Sequence, residues 1–186
     1  MTKEYRNVTK TKEVIRSTFS ELLGEKRNME SITVKELTER ANIAKSTFYN
    51  HYNDIYAVAE EFENELIQVL SNVLDEIETE MATEYDIYIE KIVEFLRQNE
   101  STYRKVINSP DTRFFIEKLK TVLSSKVFEK NTSLPFSKNN SERYVQIRFL
   151  TNACVDTLVD YFNGTITISI EKVGNIIIDI INKLQS

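Results

Sequence analysis

The chain has 186 residues, 41% hydrophobic and 28% charged, with a net charge of −5. These are globular proportions, which exclude wholesale disorder. One cysteine, Cys154, excludes an internal disulfide and a cysteine metal cluster, and one histidine, His51, excludes a His-rich zinc site. No window has the apolar run of a signal peptide or a membrane span, so a soluble, cytoplasmic protein with no membrane contact is expected.

Three glycines and two prolines leave few turns, so the expected fold is all-α, about nine helices with short connections. Val8, Val14, Ile15, Phe19, Leu22 and Leu23 recur at helical spacing and predict a first amphipathic helix. Lys3, Arg6, Lys10, Lys12 and Arg16 crowd its start. Thr33 and Glu36 have the spacing of a capping box before a helix from Val34 to Ala41. Asn42, of a residue type that tolerates a left-handed turn, interrupts it. A short third helix is expected over Ala44–Tyr52.

Asn53-Asp54 supplies the next start, and from Ile55 the apolar positions keep helical spacing as far as Met81. Further helices are predicted at 85–98, near Thr102–Asn108, and after Ser109-Pro110-Asp111, where serine caps and proline takes the first position. Residues 131–140 read as a loop, and Ser141 as the cap of a long helix to Phe162. Residues 165–170 alternate like a strand but have no partner strand. Ser169 instead reads as the cap of a last helix whose isoleucines, Ile176, Ile177 and Ile178, are either central or face a partner chain.

The charge divides unevenly. Residues 1–52 hold ten Lys/Arg against seven Asp/Glu, and the remainder 14 against 22. The expected boundary falls with that shift: a helix-turn-helix domain at 1–53 (the motif itself at 32–52) and a larger helical domain at 54–186.

On a helical wheel, Ala41, Ala44, Phe48 and Tyr52 share an inner side of the third helix. Ser46, Tyr49 and Asn50 lie opposite, Thr47 flanks them, and Lys45 stands at the amino end. An ordinary solvated face carries Glu and Lys, which favour helices. This face carries Ser, Thr, Asn and Tyr, groups that match base edges and phosphates in a DNA major groove. Cys154, among Phe149, Leu150, Val155 and Leu158, reads as a buried, inert thiol.

The stretch Ile32-Thr33-Val34-Lys35-Glu36-Leu37 through Ala41-Asn42-Ile43-Ala44-Lys45-Ser46-Thr47-Phe48-Tyr49-Asn50-His51-Tyr52 resembles the DNA-binding module of TetR-type transcriptional regulators. The resemblance covers about residues 8–65. Phe162-Asn163-Gly164 to Ser169-Ile170-Glu171 further resembles the carboxy-terminal domain common in this family among Firmicutes. It implies that Lys45, Ser46, Thr47, Tyr49 and Asn50 face the groove, with Thr33 and His51 supporting phosphate contacts or packing. It also implies a homodimer through the last two long helices on a pseudo-palindromic operator, acting as a repressor released by a small-molecule inducer. Two positions depart from the pattern: Ile55 stands where lysine is common, and Ala44 where a capping serine or asparagine is common.

No cofactor and no metal site are expected. Tyr103, Phe114, Phe115, Phe149 and Phe162 are candidates to line a ligand pocket, against their reading as core aromatics. Two alternatives stand beside the repressor: a TetR-like activator or co-regulator cued by a protein partner, and a helical enzyme using carboxylates. The second is disfavoured because Glu60, Glu61 and Glu63 read as a solvated helix face.

Overall fold

In the computed structural model, residues 3–26, 29–78, 85–109, 112–129 and 136–184 are described. The side chains of Lys3, Arg6, Ile77 and Met81, the Pro110-Asp111 step, and residues 131–135 of the expected loop lie outside them. Among the described residues there are nine α-helices, one 3₁₀ turn and no strand: α1 Lys3–Lys26, the 3₁₀ turn Met29–Ser31, α2 Val34–Arg40, α3 Lys45–Tyr49, α4 Ile55–Glu78, α5 Tyr85–Gln98, α6 Glu100–Ile107, α7 Thr112–Glu129, α8 Asn140–Phe162 and α9 Ile170–Leu184. The all-α expectation holds, and residues 165–169 form no strand.

The first three helices close over one small core. Ile15 and Leu22 of α1, Leu37 of α2 and Phe48 of α3 are fully buried, with Phe19 1% exposed beside them. Val58 and Phe62 bring α4 into the same core, and the rings of Phe19 and Phe62 meet edge to face at 5.8 Å.

From α4 onward the helices stack around a second centre. α4 packs on α5 and α7, α5 on α9, and α8 on both α7 and α9. The carboxy-terminal end of α8 is tied down by α6. Arg104 donates from Nη1 to the carbonyls of Phe162 at 2.7 Å and Tyr161 at 3.3 Å, and Asn108 adds a bond to Phe162 at 3.1 Å. A cation placed on the last carbonyls of a helix satisfies acceptors the helix cannot and complements its dipole.

Several boundaries move. α8 is capped by Asn139, whose Oδ1 accepts from the amides of Ser141 and Glu142, rather than by Ser141. Asparagine two residues earlier offers a carbonyl to two free amides, which a serine inside the first turn cannot do. At the start of α7 the Ser109 carbonyl accepts from Thr112 N at 3.2 Å. Ser169 does cap α9, its hydroxyl accepting from Lys172 N at 3.3 Å.

Candidate nucleic-acid interface and apolar cavity

Thr33 is the N-cap of α2, its hydroxyl accepting from Glu36 N at 3.2 Å. The reciprocal half of the capping box is not formed as expected: the Glu36 carboxylate binds Lys26 Nζ at 2.5 Å. Lys26 also reaches the Ser31 carbonyl, so a salt bridge from α1 replaces the local contact and fixes the entry to α2.

α2 ends in a Schellman turn. Asn42 takes φ 52°, Ile43 N donates to the Thr38 carbonyl at 3.0 Å, and Asn42 N donates to that of Glu39 at 3.3 Å. The buried Thr38 hydroxyl turns back onto the carbonyls of Val34 and Lys35. Ile43 then packs against the core, which aims α3 across the module.

α3 is shorter than the predicted Ala44–Tyr52 span, yet its turns continue. Tyr52 N donates to the Phe48 carbonyl at 3.0 Å and Asn50 N to that of Ser46 at 3.0 Å. Ala44 is a correction: it is exposed, an extended N-cap without a side-chain bond, so the inner side belongs to Phe48 and Tyr52. A residue before the first helical turn does not obey the wheel.

Outside, Lys45, Ser46, Tyr49 and Asn50 are exposed, and Thr47 and His51 are half-buried. Tyr49, 56% exposed, leans edge-on against Phe48 with ring centres 5.4 Å apart. Its ring is thereby oriented while the residue stays largely exposed. No side-chain hydrogen bond or ion pair within the chain involves Lys45, Ser46, Thr47, Tyr49, Asn50 or His51 among the described residues. The outer side of a short helix thus presents polar groups with no hydrogen bond or ion pair to the described residues.

The basic start of α1 behaves differently. Lys12 and Arg16 bind Glu61 of α4 at 2.8 Å each, and Arg16 also binds Glu65 at 2.6 Å. Glu61 is therefore a partner of α1 and not a merely solvated face. Lys12 sits 5.1 Å over the Tyr52 ring. Burial pushes the Tyr52 phenol up to about 12 despite the nearby Arg16. Burial also works against the Glu61 charge, but Lys12, Tyr52 and Arg16 outweigh it and hold the carboxyl below its ordinary value. Ile55, in place of the usual lysine, is 7% exposed and belongs to the core, leaving the exposed Tyr56 beside it at the start of α4. The Glu61 ties were not legible in the sequence, because nothing local links residue 12 to residue 61.

At the second centre a partly open cavity of about 180 Å³ lies between α4, α5, α6, α7, α8 and α9. Its wall includes Ile92, Leu119, Ile147, Leu150, Val155 and Ile181. Of the aromatic candidates, Tyr103 and Phe162 line it. Phe114 and Phe149 do not: they are 83% and 75% exposed. Phe115 is 1% exposed and belongs to the core without lining the cavity. The signal for the missed wall lay in aliphatic positions on several helices, which periodicity alone cannot assign to one space. Cys154, half-buried rather than buried, lines the cavity too, and burial pushes its thiol up to about 11, which keeps it neutral.

A capped helix, a left-handed turn and a short helix offering free polar groups, continued by a long helix into a helical bundle, define a helix-turn-helix regulator fold. Residues 83–183 match the TetR-type family described as "Transcriptional regulator C-terminal region", and the chain belongs to this family of transcriptional regulators. It is 38% identical over 47 residues to an uncharacterized HTH-type transcriptional regulator, YxbF, of Bacillus subtilis (strain 168). That match takes in 25% of this chain and only 12% of the relative's length. Among solved structures, a TetR transcriptional regulator from Streptococcus agalactiae 2603V superposes with a TM-score of 0.67 at 20% identity, covering 96% of this chain and 97% of that one. The dihydroxyacetone kinase operon activator DhaS gives 0.66 at 17% identity, covering 94% and 95%. At such identities these two define the fold alone. No helix among the described residues is long and apolar enough to cross a membrane.

Proposed function

We propose that the protein is a dimeric, sequence-specific DNA-binding regulator of transcription, most simply a cytoplasmic repressor that leaves its operator when a small molecule fills the cavity. It is not an enzyme on this reading. Residues 1–53 bind double-stranded DNA and residues 54–186 dimerise and sense. The observation that carries the proposal is the outer side of α3, where Lys45, Ser46, Thr47, Tyr49 and Asn50 stand over a closed core with no side-chain hydrogen bond or ion pair among the described residues. Asn suits adenine, Lys suits guanine, and the Thr methyl and Tyr ring suit thymine methyls. Thr33 and His51 flank that face, toward the phosphates.

Two copies joined through α8 and α9 would present two such helices to successive major grooves. Support for that joint comes from apolar side chains left outside: Val145 and Phe149 one turn apart on α8, Ile176 and Ile180 one turn apart on α9. The acidic larger region faces away from the duplex on this arrangement. A cavity in the same region supports a small-molecule cue over a protein cue, since a ligand that prefers one packing of the bundle shifts the population of dimer states.

Tyr49→Ala should weaken operator binding by about 1–3 kcal/mol, the range for a base contact, with the melting transition nearly unchanged. Fluorescence anisotropy on a selected operator, alongside thermal melting, checks both halves. Operator affinity equal to that of the unmodified protein would remove the outer side of α3 from the interface.

A further inference from the structure

The wall of the cavity is almost entirely carbon, and its few polar groups are already engaged or neutral. The Tyr103 hydroxyl donates to the Leu66 carbonyl at 3.2 Å. Lys126 is the cation in the wall, and its Nζ is held by both oxygens of Asp75 at 2.5 Å. The Cys154 thiol stays protonated. Thr151 of α8 and Tyr88 of α5 bring uncharged hydroxyls. A charge entering this space would lose its hydration and gain no counter-charge in return, whereas hydrocarbon loses nothing.

Size narrows the class further. A cavity of about 150 Å³ walled by Leu, Ile and Phe stays dry and accepts benzene; this one, with the same kind of wall, is about 180 Å³. We infer that the ligand is a small, uncharged, hydrocarbon-rich molecule of the size of a substituted benzene or an indole, and not an acid, an amine or a phosphate ester. The inference rests on the reading of the cavity as the effector site.

The chain contains no tryptophan, so an indole probe can be followed by its own emission, excited at the red edge where tyrosine does not absorb. Three probes share that chromophore: neutral indole, anionic indoleacetate and cationic tryptamine. With the full chain and no DNA present, indole emission should shift to the blue and saturate, and indole should raise the melting temperature. Indoleacetate and tryptamine should bind at least about ten-fold more weakly. Cys154→Phe, which places a ring in the cavity, should abolish the indole shift while keeping the helical circular dichroism. Leu150→Phe serves the same purpose if that variant does not fold. Indoleacetate binding as tightly as indole, and lost in Lys126→Met, would overturn the inference, as would a failure of all three probes to bind. A separate operator titration with and without indole tests the regulatory reading. Saturable indole binding with unchanged operator affinity keeps the ligand class and removes the induction.

Discussion

Around Phe48 the chain is closed. Phe48, Leu37, Ile15 and Leu22 are fully buried on three helices that total fewer residues than α7 and α8 together. Around Cys154 it is open: six helices meet without filling the space between them. On the proposed function the difference is one of use. A closed core has one packing and aims a rigid surface, while a core with a void can have two packings of similar energy, and a ligand can choose between them. α6 belongs to both regions. Tyr103 and Ile107 line the cavity, while Val106 reaches the space beside Phe19 and Leu23 of α1.

The largest test of the contrast is Phe48→Ala. It opens a void where nothing can collapse to fill it, and should cost about 3–5 kcal/mol in urea unfolding and abolish DNA binding with it. A loss near 1 kcal/mol would mean the module core is looser than its burial indicates.

Gly174→Ala probes the open region where it is tightest. A Cβ there would lie 2.7 Å from Val93 Cγ2, and a β-branched side chain that is 8% exposed has no room to turn away. Overpacking costs about 1–3 kcal/mol, offset by about 1 kcal/mol of helix propensity gained. The expected outcome is a lower melting temperature. An unchanged or higher one would place the slack of this region at the α5–α9 contact as well as in the cavity.

The two regions were also unequally legible. The module announced itself locally: Thr33 caps three residues before Glu36, Asn42 supplies the left-handed turn, and Asp54 caps α4 through a bond from Ala57 N at 2.8 Å. Each is a short-range rule tied to one residue type. The larger region obeys long-range rules. Periodicity placed its helices, but which side of α7 or α8 turns inward depends on partners far along the chain. Phe114 and Phe115 are adjacent, and one is 83% exposed while the other is 1% exposed. Aromatic identity could not separate them. Glu36 shows the same limit inside the module, since Lys26 of α1 displaces its local bond.

Acid should loosen the join between α1 and α4 before it disturbs either core. Glu61 titrates below its ordinary 4.5 because Lys12 and Arg16 stabilise its charge against burial. Its contribution is therefore complete above that value and disappears as pH falls through the lower, folded value. The pairs are partly exposed, so the effect is about 0.5–1 kcal/mol and shrinks with salt. Comparing Glu61→Gln with the unmodified protein across pH 7 to about 3 should show the two stability curves converging below about pH 4.5. Parallel curves would mean that Glu61 contributes through packing alone.

Gly24→Ala should have the smallest effect and the opposite sign to Gly174→Ala. A Cβ at residue 24 would meet Lys105 of α6, with Cε at 2.7 Å and Cδ at 3.0 Å. The geometric conflict equals that at Gly174, but the obstacle is the far end of a flexible side chain, half-buried, rather than a branched methyl in a packed contact. Lys105 can swing aside, and alanine near the end of α1 recovers up to about 1 kcal/mol of helix propensity. Melting should therefore rise slightly or stay level. A clear drop would show Lys105 locked where α1 meets α6, so that the closed region and the helix lining the cavity move as one piece.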